Sequence, residues 1–271
     1  MAQNRFSIAA VFLSYLLVAG GVALGLVLVA QLGVGGEAAF YGAVAIGGAI
    51  GGALSARASR GSTIIEPAIG GALVILTLVG VFVGTEAGEF LWRVGKDDIV
   101  RIVAIAGGAS AAGAILGAIG AEKAFAGHST SSLAWLFFTA FAMLGACVVA
   151  FIVLLGAIVR GAGSEDSLAA AYLGGMAVGG LLTGLVIGAS APRRVLLINL
   201  LGVLAGVMGF FLLIISLPSF KGDGEAGKAA AGFAIIGVGC GLLAMLGAAI
   251  GWALVGKRHA RAAESTSSAF A

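Results

Sequence analysis

The stretch YGAVAIGGAIGGALSARAS, residues 41–59, carries no charge before Arg57, and four of its five glycines fall at Gly47, Gly48, Gly51 and Gly52. Glycines four residues apart share one face of an α-helix, one turn from each other, and let a second backbone come close. A segment of this kind belongs in a tightly packed bundle of apolar helices. A related stretch, YLGGMAVGGLLTGLVIGAS, occupies residues 172–190. Tyr41 matches Tyr172, a GG-x3-G core follows in both, and Ala-Ser closes both, at an offset of about 131 residues. LGAIG (116–120) against LGAAIG (246–251), and His128 against His259, keep nearly the same offset. We therefore expect two four-helix halves, 1–127 and 128–262, followed by a polar tail, 263–271. With an even number of spans in each, the halves point the same way.

The rest of the chain fits that frame. It is 61% hydrophobic and 10% charged over 271 residues, against about 25% charged in a soluble domain. No soluble fold could hide this much apolar surface, so the chain reads as an all-α, polytopic membrane bundle. Stretches free of Asp, Glu, Lys and Arg give eight spans: 6–36, 38–56, 67–85, 102–121, 124–159, 167–192, 195–220 and 229–256. The first is too long for the apolar core of a signal peptide and reads as a retained helix. The longest connection, TEAGEFLWRVGKDD, reads as an outside loop anchored at the interface by Trp92. With the N-terminus inside, nine Lys and Arg lie on inside segments and six on outside ones. That bias places both termini in the cytoplasm, and the high glycine and alanine content suggests a bacterial source, hence a bacterial inner membrane. The basic residues are scattered, so the charge does not read as a nucleic-acid surface.

Gly180, Gly184 and Gly188 form a three-step ladder, and Gly247 and Gly251 a further pair. Across the chain, twelve glycine pairs stand four apart and five stand three apart. This excess at four supports close helix packing, between helices of this chain or at an oligomer face.

Chemistry is sparse. Charged residues inside a membrane mark ion paths and proton relays, and no span carries one near its centre, which argues against an ion-coupled transporter, a proton channel or a voltage sensor. Cys147 and Cys240 lie in apolar runs without metal spacing. Ser14, Gln31, Thr77, Ser110, Thr139, Thr183 and Asn199 are single polar residues that a helix backbone or neighbour can satisfy. There is no phosphate loop, zinc motif or nucleophile elbow. No catalytic residue, metal or cofactor is expected.

One carboxylate stands out, in GSTIIEPAIGG (61–71). Thr63 and Glu66 fit a capping box; alternatively Glu66 caps and Pro67 takes the first helical position. Either way a negative charge sits at the positive end of the third span's dipole, worth about 0.3–1 kcal/mol. Arg57 and Arg60 are close enough in sequence to pair with it. Glu66 reads as a helix anchor, with an interface or substrate contact at the cytoplasmic mouth as the sharper alternative.

Two functions fit. The first is a structural or accessory subunit of a membrane assembly, partnered by the lipid bilayer and by other membrane proteins or further copies of itself. The second is a transporter or channel for a neutral, apolar or lipid-like substrate, which needs no buried charge but does need a cavity between the halves. An enzyme acting on lipid lacks residues to carry the reaction.

Overall fold

The computed structural model describes residues 8–58, 65–83, 86–125, 132–159, 163–190, 196–216 and 226–256. These form eight α-helices: α1 (Ile8–Gln31), α2 (Glu37–Ala58), α3 (Ile65–Val83), α4 (Glu86–Phe125), α5 (Ser132–Val159), α6 (Glu165–Ser190), α7 (Leu196–Ser216) and α8 (Ala226–Gly251). A π-helical turn, Trp252–Gly256, ends α8. Among the described residues, seven helices are long and apolar enough to cross a bilayer, and α3 carries a shorter apolar stretch, Ile65–Val81. The fold is a helical bundle of membrane-spanning character. Large apolar side chains face outward all along it, among them Ile46, Leu116, Val153, Leu212 and Leu246. In hydrocarbon such a surface is solvated, and a helix satisfies its own backbone groups.

Local sequence explains the visible helix ends. α1 stops in a Schellman motif: Gly33 takes φ +66°, Val34 N–H donates to Val29 C=O at 3.3 Å, and Gly33 N–H to Ala30 C=O at 3.2 Å. Ser164 starts α6. Its hydroxyl accepts from Ser167 N–H at 3.4 Å, and its carbonyl accepts from Leu168 N–H at 3.0 Å.

One expectation needs correction. The segment read as an outside loop, 85–98, is helical from Glu86 onward and continues into α4, broken only at Gly95 (φ −135°, ψ 38°). Its charges mark it as unsuited to hydrocarbon, which is a different property from being unsuited to a helix. Glycine at position 95 lets the chain change direction between the charged segment and the apolar span from Ile99.

α1 packs on α2 and α3, and α4 closes the group by packing on the same two helices. α5 packs on α6 and α7, and α8 closes that group in the same way. The groups join chiefly where α1 meets α5. One of two apolar core clusters runs through this junction, with Leu13, Leu16 and Leu17 of α1 packed among Phe138, Met143 and Cys147 of α5; the other lies within the first group, around Val18, Val44 and Ile75.

Candidate functional site

The glycines govern how closely the helices approach. A Cβ on Gly48 would lie 2.5 Å from the Ser110 carbonyl oxygen, and one on Gly52 would collide with the Ala114 carbonyl. Gly47 and Gly51 turn the adjacent face of α2 to the backbone of α1 at Val22 and Val18. α2 is therefore held on two sides by backbone contact. On α6, Gly180 faces the Cys240 carbonyl, with 2.8 Å available to a Cβ, and Gly184 and Gly188 meet the Ala244 and Ala248 carbonyls. Gly247 and Gly251 of α8 face back onto the Leu181 and Leu185 carbonyls.

The junction between the groups uses the same device through two glycines that the ladder criterion passes over. A Cβ on Gly20 would sit 2.7 Å from the Phe141 carbonyl oxygen, and one on Gly145 would run into the Leu16 carbonyl. Neither glycine has a partner four residues away in sequence.

Buried polar side chains gather in two places. In the first group the Ser14 hydroxyl donates to the Ala10 carbonyl at 2.7 Å and forms a short hydrogen bond with the Ser55 hydroxyl. α3 begins at Ile65, so Glu66 stands inside the first turn and not at the cap position, with Pro67 after it. Both are buried, Glu66 with 2% of its surface exposed. Glu66 is thus enclosed by protein in the first turn of α3. Gly70, one turn further on, lies against Ser14 and Tyr15, which brings this face of α3 onto α1. Arg57 is half-buried in the last turn of α2. Thr63 and Arg60 lie outside the described residues.

In the second group the Thr139 hydroxyl lies 2.8 Å from the Trp135 carbonyl and 3.3 Å from Asn199 Oδ1. Trp135 Nε1 and Asn199 Nδ2 are buried donors without a hydrogen-bond partner. Ser110 and Thr183 hydroxyls are likewise buried and unmatched. Among the described residues, no three His, Cys, Asp or Glu side chains come together in a way that could hold a metal ion.

The remaining feature is a cavity of about 300 Å³ between α1, α5 and α6. Phe12 and Tyr15 of α1, Ala146 and Ala150 of α5, and Tyr172 and Gly179 of α6 are among the residues that line it. The Tyr15 hydroxyl is turned to Thr77 Oγ1 at 3.1 Å, and the Tyr172 ring packs on Phe151 and Phe210. The cavity exists because small side chains from α5 and α6 face it where α1 does not come close enough to fill the gap.

No protein-family model, no curated protein and no solved structure matches this chain.

Proposed function

We propose that this protein is a non-catalytic subunit of a larger membrane assembly, made of two four-helix repeats, residues 1–127 and 128–262. One observation carries the reading. The centre of the molecule, where a substrate path between the halves would run, is occupied by the Gly20–Gly145 backbone crossing and by a continuous apolar core. A junction crossed by direct backbone contact, with the cavity confined to one side between α1, α5 and α6, suits a fixed scaffold.

Equivalent packing supports the repeat. Gly48 and Gly52 seat on the carbonyls of Ser110 and Ala114, and Gly180 and Gly184 seat on those of Cys240 and Ala244. Gly117 of α4 returns onto Ala49 just as Gly247 of α8 returns onto Leu181. The basic bias of the loops supports cytoplasmic termini, and the glycine- and alanine-rich composition supports a bacterial inner membrane.

Native mass spectrometry after gentle extraction from the source membrane tests the subunit reading. We expect a fixed stoichiometry with other membrane proteins or with further copies of this chain. An inert monomer under those conditions refutes it.

The cavity favours a second reading, transport of a neutral, apolar or lipid-like substrate. Reconstituted vesicles would then move a fluorescent lipid between leaflets faster than empty vesicles, and equal rates would dismiss this reading.

A further inference from the structure

The cavity between α1, α5 and α6 has a definite chemistry. Its walls are alanine, glycine, valine, leucine and aromatic carbon. Of its two tyrosine hydroxyls, that of Tyr15 is already engaged with Thr77. A buried water needs two to four polar partners, which these walls do not offer, so the space is unsuited to water. Left empty, it would deprive its lining of dispersion contacts.

Its rim identifies the occupant. Val153, Val178 and Leu182 line the cavity, yet 52%, 55% and 36% of their respective surfaces are exposed. They belong at once to the cavity wall and to the apolar outer surface that α5 and α6 present to the bilayer. The cavity is therefore continuous with the protein–hydrocarbon interface. Its volume of about 300 Å³ equals roughly ten water-sized units of ~30 Å³, which suits a slender hydrocarbon chain. A helix, about 10–12 Å across with its side chains, is too wide to enter. Among the described residues the cavity wall bears no charged side chain that would select a headgroup.

We infer that this cavity holds one acyl chain of a bilayer lipid, inserted sideways from the surrounding hydrocarbon and packed across the junction of the two helix groups. The headgroup stays outside and is not read. This inference stands apart from the subunit reading, because a seated chain is compatible with any stoichiometry.

The test is structure determination of the full chain in nanodiscs of phosphatidylcholine brominated on its acyl chains, repeated with brominated phosphatidylglycerol. We expect bromine density in the cavity with both lipids. Paired substitutions, Ala150→Leu with Ala171→Phe, should remove that density and leave the annular lipid density unchanged. Should the paired variant fail to fold, Ala150→Leu alone should weaken the density in the same place. Native mass spectrometry of the purified protein should show one retained phospholipid mass. The inference is overturned by an empty or water-filled cavity, by a helix of a second copy seated over it, by a retained free fatty acid in place of a phospholipid, or by occupancy with only one of the two headgroups. What occupies the cavity decides this inference, whereas a fixed stoichiometry decides the subunit reading, so the two can fail separately.

Discussion

Replacing Gly184 by alanine adds one methyl group to α6, and its effect is set by what that methyl meets. An ideal Cβ there falls 2.6 Å from the carbonyl carbon and Cα of Ala244 and collides with the carbonyl oxygen. Ordinary contact begins at 3.4 Å, so α6 and α8 must separate by an ångström or more at this point. A gap of 0.5–1 Å forfeits about a quarter to a half of each dispersion well, each worth ~0.1–0.2 kcal/mol. Spread over the ladder from Gly180 to Gly188, that reaches about 1 kcal/mol, and backbone strain brings the loss to about 1–3 kcal/mol. Gly239 supplies the control. It lies on exposed α8 surface, where a Cβ meets nothing within 4 Å. There the same substitution should stabilise by about 0.4–1 kcal/mol, through helix propensity and a more restricted unfolded chain. The assay is reversible unfolding in mixed micelles with increasing dodecyl sulfate, followed by tryptophan fluorescence. Opposite signs for Gly184→Ala and Gly239→Ala are expected. Equal effects would refute the claim that backbone contact, and not glycine content in general, holds α6 to α8.

Three further outcomes are expected. Gly20→Ala and Gly145→Ala share one crossing, so in a double-mutant cycle their losses should fall short of additivity by about 0.5 kcal/mol or more; simple addition would place them in separate contacts. A serine hydroxyl has one proton, and that of Ser14 goes to Ala10, so Ser55 must donate to Ser14. Ser14→Ala should therefore cost about 1–3 kcal/mol by stranding Ser55, Ser55→Ala less than about 1 kcal/mol, and the pair less than their sum; the reverse ranking in the same unfolding assay would show the proton running the other way. Glu66→Gln should keep the folded, assembled protein with a loss of about 1 kcal/mol or less, while Glu66→Lys should abolish its accumulation in the membrane. If Glu66→Gln retained stability and assembly but lost a measured activity, Glu66 would be more than a helix anchor.

Much of the helical plan was legible because charge is scarce and therefore informative. Wherever Asp, Glu, Lys and Arg cluster in this chain, an apolar helix begins or ends within a few residues, as at Arg57 in the last turn of α2 and Glu66 in the first turn of α3. The same logic failed at Glu86–Val94, where charge excluded hydrocarbon but not helix. Spacing alone picked out Gly48, Gly52, Gly180 and Gly184, since a face of glycines has few uses other than close approach. It could not find Gly20 and Gly145, whose partners lie on another helix and not on their own. Nor could it find the cavity. Ala146, Ala150 and Gly179 read in sequence like any other packing residues, and whether a small residue admits a backbone or leaves a gap depends on the helix opposite. The Thr139–Asn199 contact joins α5 to α7, and no short-range pattern announces it.

The glycine seats also bear on how the protein is made. Gly48 and Gly52 of α2 rest on Ser110 and Ala114 of α4, and α3 is translated between them. A ribosome adding about 5–20 residues per second needs roughly 3–12 s for those sixty or so positions. During that interval the newly inserted α2 presents a bare glycine face to lipid. α6 meets the same delay before α8 arrives. The contacts of α2 with α1 can form as soon as both helices are inserted, whereas those of α2 with α4, and of α6 with α8, close only when the last helix of each group enters the bilayer.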